Sequence, residues 1–178
     1  MVLFSLFRSA YFRTLGRGTT FFGRVRFGTI NGNISVGSKC LIGDNIFLSA
    51  AKGASIIIED NVSINTGCHL ISIYKIQICK NTRIGEYCSI RDQNHKFERV
   101  DIPVKDQGFY GQQIVIEEDC WIGRGVFIGP GVTLGKGCIV GANSVVTKSF
   151  DEYSIIAGNP AKVIRKRGEI ISIETKND

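Results

Sequence analysis

Between residues 116 and 165 the chain repeats itself every six residues, and that period admits very few folds. An aliphatic side chain opens each block: Ile116, Ile122, Ile128, Leu134, Val140 and Val146. Glycine usually stands second (Gly123, Gly129, Gly135, Gly141), and a small or modest residue stands fifth (Cys120, Val126, Val132, Cys138, Ser144). Residues six apart fall on different faces of a helix with roughly 3.6 residues per turn, so no helix gathers this series into one core. Short strands stacked into a parallel β-helix do. The opening residue then points into a narrow axis, and the fifth lets the chain turn a corner. The second-place glycine is expected to supply backbone angles that a Cβ would forbid. One coil buries little, so stability comes from stacking neighbours.

The same register runs upstream. Block openers begin near Ile30 and continue through Val36, Ile42 and Leu48; they resume after a four-residue insertion at Ile58, Ile64 and Leu70, and after a two-residue insertion at Ile78, Ile84 and Ile90. Every opener is aliphatic, which predicts an all-β solenoid over 30–151. Five of the six cysteines (Cys40, Cys68, Cys88, Cys120, Cys138) take the fifth place, and Cys79 alone does not. With no CxxC pair, they read as small apolar corner residues in a reducing compartment.

The chain is long enough for one domain with a continuous core. Its net charge of +6 is concentrated at the ends: residues 1–30 hold five arginines and no acid, whereas 31–161 sum to −1 and 162–178 to +2. Positive charge at the ends, and not along a face with interleaved aromatics, argues against nucleic acid as a partner. Leu3, Phe4, Phe7, Ala10 and Tyr11 share one side of a helix predicted over 3–15. One reading of this N-terminal segment (1–29) is a cap over the open first coil. Another is weak peripheral contact of residues 1–26 with an anionic membrane surface through arginines and aromatics. The run from Val2 to Phe7 stops at Arg8 without a small-residue cleavage site, and no later stretch is long enough to span a membrane. The expected location is therefore cytoplasmic, with the inner membrane face as the place for any peripheral contact.

Periodicity fails over 95–115, where a solenoid has no structural need for an excursion. Excursions from a rigid scaffold are where function usually sits. This one offers Lys96, Phe97, Glu98, Lys105, Asp106, Phe109, Tyr110 and Gln112.

Three motifs carry a resemblance. Trp121-Ile122-Gly123, the run from Gly141 to Lys148 (GANSVVTK) and the run from Ala157 to Ile164 (AGNPAKVI) resemble, in order and spacing, the coenzyme A end of the hexapeptide-repeat acyltransferases. Within that superfamily the likeness is to the sugar and polysaccharide O-acetyltransferase branch, which includes maltose, galactoside, colanic acid and O-antigen acetyltransferases. The segment Ile102-Pro103-Val104-Lys105-Asp106-Gln107-Gly108 is similar to the branch's PIxxQG loop, with Val104 in place of isoleucine. The resemblance implies a left-handed triangular prism; the period alone does not set the hand, and ordinary parallel crossovers are right-handed.

It also implies a site. The Asn-His pair at Asn94-His95 matches the family's catalytic segment, which makes His95 the general base for an acceptor hydroxyl, a task suited to histidine. Asp92 is either the residue that orients the imidazole or a solvated loop carboxylate. Asn94, Phe97, Phe109 and Tyr110 are candidates for the acceptor pocket. Gln93 stands where the family often has a second histidine, and His69 reads as a solvent-facing edge residue. For acetyl-CoA, Trp121 would pack beside the cofactor channel and the Ala142 backbone would bond the pantetheine amides. Thr147, Lys148, Lys162 and Arg165 would lie near the phosphates, with Pro160 in the same C-terminal segment, 152–178. A backbone amide at the Gly123–Arg124 corner would face the oxyanion, although Arg124 stands where relatives carry a small hydroxyl residue. The resemblance further implies a homotrimer, with the cofactor between neighbouring prisms.

The leading expectation is an acetyl-CoA-dependent O-acetyltransferase acting on a sugar hydroxyl in capsule, O-antigen or exopolysaccharide synthesis. Its rivals are N-acetylation of a nucleotide-linked amino sugar, acetylation of an antibiotic, and a non-catalytic β-helix scaffold. A three-histidine zinc site, as in the carbonic anhydrases that share the prism, cannot be built from His69 and His95 alone, so no metal is expected.

Overall fold

Strand register gathers the block openers into three ladders. Val36, Ile58, Ile78, Ile116 and Leu134 line the first face. Ile42, Ile64, Ile84, Ile122 and Val140 line the second, and Leu48, Leu70, Ile90, Ile128 and Val146 the third. None is more than 2% exposed, and burying such a side chain fully is worth about 1.5–3 kcal/mol. The molecule is a left-handed parallel β-helix whose three faces are sheets of six, eight and six strands. It is seen in a computed structural model that describes residues 11–169.

The solenoid starts earlier than the aliphatic pattern suggests. Thr14–Leu15, Thr20–Phe21 and Val25–Phe27 form a complete first coil, with Leu15, Phe21 and Phe27 in register with Val36, Ile42 and Leu48. Ile30 is not an opener; it is 40% exposed in the connection to the next coil. Of the helix expected over 3–15, residues 3–10 lie outside the described residues, and Thr14–Leu15 is strand. Ladder pairing overrides the local amphipathic pattern there. Phe12 is buried against Phe21 and Phe27, with ring centroids 5.8 and 5.5 Å apart, and Tyr11 stacks on Phe27 at 4.6 Å. Phe12 thus belongs to the core, with Phe21 and Phe27 packed against it.

The second-place glycines are needed for a different reason from the one expected. Gly123 does not have positive φ, but a Cβ there would stand 2.7 Å from the Ala142 nitrogen in the next coil. Close approach of stacked corners excludes the side chain. The left-handed backbone falls at the fourth place, as at Gly125 (φ 64°) and Asn143 (φ 58°). The fifth-place cysteines are all buried and unpaired. Each thiol donates to a carbonyl of the coil above, such as Cys88 to Gly123 at 3.1 Å and Cys120 to Gly135 at 3.3 Å.

Along the first edge (first to second face) and the second edge (second to third face), openers are always six residues apart. Every insertion occurs at the third edge, between the third face and the first: after Phe27, Leu48, Leu70 and Ile90. The chain closes with Ser154–Gly158 on the second face, against which Ala161–Lys166 folds back antiparallel. Among the described residues, no helix is long and apolar enough to cross a membrane.

Candidate active site

The largest insertion is a projecting arm, not an irregular loop. Gln93–His95 pairs antiparallel with Phe109–Gly111, and the prism is regained at Ile114–Ile116. The arm's tip holds a 3-10 turn at Val104–Asp106. It is cross-braced by Gln107, whose side chain accepts from the Arg99 amide and donates to the Arg99 and Ile102 carbonyls. Arg99 also pairs with Asp101. The resemblance to a PIxxQG loop thus falls on the segment that shapes the tip.

Alternation along paired strands divides the arm's side chains. Gln93, His95, Phe109 and Gly111 share one face, and Asn94 and Tyr110 share the other. His95 is exposed and its ring packs on Phe109, with centroids 4.3 Å apart. The Asn94 carboxamide oxygen accepts from the His95 amide at 2.9 Å, which stiffens the strand at the histidine. Of the four acceptor candidates, only Phe109 lies directly beside the imidazole. Asn94 and Tyr110 stand on the opposite face, and Phe97 is exposed beyond the paired strands.

Asp92 is neither a solvated carboxylate nor a hydrogen-bonded partner of His95. It is fully buried at the arm's root. One oxygen accepts from the Ile73 amide at 2.8 Å; the other accepts from the Ser72 hydroxyl at 2.6 Å and the Tyr74 amide at 2.9 Å. Its own carbonyl accepts from the Gln112 amide, so both strands of the arm are tied to one residue. Three donors from the corner below hold this carboxylate, and such charge-assisted bonds are about twice as strong as neutral ones. The sequence signal for the partnership is that Ser72 to Tyr74 is itself an insertion at the same edge.

The residues assigned to the cofactor lie elsewhere, divided among the second face, the second edge, the third edge of the last coil and the closing hairpin. Trp121 lies on the outer second face between Arg83 and Ile139, 58% exposed. Just beyond it, at the second edge, the Gly123–Arg124 corner stacks beneath Ala142 and Asn143, and the Asn143 amide donates to the Arg124 carbonyl. Gly141 packs beneath Ala157, and Ser144 accepts from the Gly158 amide. The Arg124 guanidinium is turned onto Glu86 at 2.9 Å. Thr147 and Lys148 are exposed at the third edge of the last coil, and Lys162 and Pro160 are exposed on the closing hairpin. Lys148 lies over the Phe150 ring, and neither lysine has an ion-pair partner among the described residues. Arg165 is half-buried and donates to the Lys166 and Glu169 carbonyls, so it is turned into the tail.

His69 is half-buried on the third face, not on an edge, with its ring 5.4 Å from Phe47. Burial first, then the charges of Arg91 and Arg26, push its pKa down. Among the described residues there is no group of three or more His, Cys, Asp or Glu side chains that could hold a metal ion.

Comparison with known proteins agrees with this architecture. The family described as "Bacterial transferase hexapeptide (six repeats)" matches residues 113–148. The putative lipopolysaccharide biosynthesis O-acetyl transferase WbbJ of Escherichia coli (strain K12) is 36% identical over 143 residues, covering 76% of this chain and 73% of the relative. Among solved structures, a point mutant of AntD, an N-acyltransferase from Bacillus cereus in complex with dTDP and coenzyme A, superposes with a TM-score of 0.79 at 22% identity, over 92% of this chain and 88% of that one. A maltose O-acetyltransferase from Clostridium difficile 630 superposes with a TM-score of 0.64 at 27% identity, over 90% and 73%. With six-residue ladders on all three faces and a relative of this similarity along most of its length, the chain belongs to the hexapeptide-repeat acyltransferases.

Proposed function

We propose that this acyltransferase moves an acetyl group from acetyl-CoA to a sugar hydroxyl in the synthesis of a bacterial surface polysaccharide, in the cytoplasm, with His95 as the general base. The observation that carries the reading is His95 itself: exposed, on an arm anchored by a buried carboxylate, and packed on one aromatic ring. The similarity to WbbJ, named as an O-acetyl transferase of lipopolysaccharide biosynthesis, supports the acceptor class.

The chain's own residues fit the donor. Trp121 is an exposed aromatic beside a column of small corner residues, and Lys148 and Lys162 are exposed cations without acidic partners among the described residues. Acetyl-CoA supplies an activated acyl group as a thioester. His95 takes the proton from the acceptor hydroxyl as the oxygen attacks the acetyl carbonyl, and the Arg124 amide is the candidate donor to the developing oxyanion, since the Gly123 amide at the same corner is given to the Val140 carbonyl. His95 projects from the third edge, whereas the Gly123–Ala142 column lies on the second. A homotrimer would bring the arm of one prism against the second edge of its neighbour and so complete the site.

The test is CoA release from acetyl-CoA with hydroxyl sugars, amino sugars and antibiotics as acceptors, for the native protein and His95→Ala together. Transfer to a hydroxyl sugar, with a loss of about two to four orders of magnitude in the variant, is expected. Equal rates in the two proteins would remove His95 from the mechanism, and transfer confined to an amino sugar or an antibiotic would replace the acceptor.

A further inference from the structure

Insertions at the third edge do more than launch the arm. The connection after Leu48, the one after Leu70 and the base of the arm stack in three successive layers. The Ala51 amide donates to the Ser72 carbonyl, the Ile73 amide to Asp92, and the Gln112 amide to the Asp92 carbonyl. Over these layers runs an open groove of about 560 Å³ lined by Lys52, Tyr74, Lys75, Gly111, Gln112 and Gln113 among others. Three layers at a spacing of ~4.8 Å span about 10 Å, longer than a single sugar ring.

The lining has a consistent chemistry. Tyr74 is 49% exposed and its ring covers Gly111, where a Cβ would stand 2.7 Å from the ring edge. Gly111 lies on the arm face that also carries Phe109 and His95, so the Tyr74 ring, the Phe109 ring and the imidazole follow one another along one surface. An aromatic body with a polar tip suits the C–H face and hydroxyls of a sugar. Gln112 and Gln113 are exposed and offer both donors and acceptors to hydroxyl groups. Lys52 and Lys75 have no ion-pair partner among the described residues. No carboxylate lines the groove, because Asp92 beneath it is sealed by the Ser72 hydroxyl and two amides. His95 lies two residues outward from Gln93, about 7 Å at ~3.4 Å per residue.

We propose that this groove binds a negatively charged unit of an extended glycan acceptor, next to the unit whose hydroxyl meets His95. The lysines hold the anionic group as point charges, Tyr74 supports a sugar ring, and the two glutamines read hydroxyls. The acceptor class is then an acidic oligosaccharide or polysaccharide, not a free neutral monosaccharide. The order of units along the arm rests on the general-base reading of His95, whereas binding in the groove does not.

Titration calorimetry on the full chain tests it with three probes: tetragalacturonate, maltotetraose and glucose 1-phosphate. Tetragalacturonate is expected to bind at least tenfold more tightly than either of the others. Lys52→Glu with Lys75→Glu should weaken it at least tenfold while leaving the unfolding midpoint in place, and Tyr74→Ala should weaken tetragalacturonate and maltotetraose alike. Unchanged tetragalacturonate binding in the double variant, no tetragalacturonate binding at all, or glucose 1-phosphate binding as tightly as the tetramer would each overturn the proposal. In the last case the groove would be a simple anion site. Binding as expected without acetyl transfer to any sugar would sink the function proposed above and leave the groove standing.

Discussion

Ile84 and His95 are near neighbours in sequence and sit in opposite kinds of structure. Ile84 is fully buried, between Ile64 below and Ile122 above. Its position is determined by every coil around it. His95 is exposed on a two-stranded arm that the prism holds through few contacts, of which Asp92 makes the most directed. The prism is redundant and the arm is not. Damage to a coil should therefore appear as lost stability with chemistry intact in whatever remains folded, and damage to the root of the arm should show the reverse.

The largest stability effect belongs to the prism. Ile84→Ala leaves a cavity that rigid ladders on both sides cannot close, and about 2–5 kcal/mol is expected for such a truncation. Denaturant unfolding would read this as a lower midpoint, while kcat per folded molecule should stay within about twofold. A fall in kcat at constant stability would mean that the prism and the arm are more tightly coupled than their contacts indicate.

Asp92→Ala should give the opposite pattern. The Ile73 and Tyr74 amides lose their acceptor, and the Ser72 hydroxyl keeps only the Ser55 carbonyl at 3.3 Å. A buried donor left unsatisfied costs about 1–3 kcal/mol, but the arm can lift and admit water without opening the coils. A global shift of about 1–2 kcal/mol is expected, with hydrogen-exchange protection lost selectively over 92–112. Activity should fall roughly 10- to 100-fold, the scale on which small misplacements act. Asp92→Asn keeps an acceptor and should recover part of both. If protection fell evenly through the prism, Asp92 would be a general structural residue and not the anchor of the arm.

Regularity and directedness also determine what can be read from the chain. Fifteen aliphatic openers from Val36 to Val146 are buried where the period puts them, because each is fixed by its place in the count. Ile30 satisfies the composition of the pattern and fails its geometry. Leu15, Phe21 and Phe27 satisfy the spacing, but two of them are aromatic and fall outside an aliphatic pattern. The arm is visible only as an interruption. Its strands carry no period of their own, and a long tip takes the place of a tight-turn signal between them. The placement of Asn94 and Tyr110 opposite His95 follows from alternation once the pairing is known, and from nothing earlier. The direction of Asp92 depends on amides exposed by a corner nineteen and eighteen residues away in sequence; the insertion after Leu70 marks that corner, but the six-residue count does not show that its amides face Asp92.

The corner thiols offer a milder test of prism redundancy. Cys120 is buried, and its pKa is pushed up to about 12 by that burial and by the neighbouring Cys138. The native thiol should therefore resist alkylation at pH 8 until the protein unfolds. Ser144 already fills the same place in the last coil, with its hydroxyl donating to the Gly141 carbonyl at 2.7 Å. Cys120→Ser can use its hydroxyl toward the Gly135 carbonyl, so a change within about 1 kcal/mol is expected. A larger loss would show that the stack requires sulfur's size and not merely a small donor.

The smallest effect should come from charges that tie coils together at the first edge. Glu118 lies between Lys136 at 2.6 Å and Lys80 at 3.0 Å, each from an adjacent coil. Those two ammonium groups, Lys136 first, hold its carboxyl below the ordinary carboxylate range. A depressed folded-state pKa contributes stability above the unfolded value near 4.5 and loses it as pH falls through the folded value. Lys136 is raised above 10.5 by the same pair, so its contribution is present below that value and lost as pH rises through the folded one. The pair is therefore fully formed across the neutral range. Glu118→Gln should lower the melting temperature slightly at pH 7 in low salt, by less than Cys120→Ser, and the difference should shrink as pH falls below 4.5 and be screened out in 1 M salt. Water and mobile ions reach this bridge, and exposed pairs are worth little when screened. Arg99 and Asp101 form the matching pair within the arm, where no coil is joined, so Asp101→Asn should leave the global melting temperature unmoved. A drop for Asp101→Asn as large as that for Glu118→Gln would mean that the arm melts together with the prism, and the division between the two regions would fail.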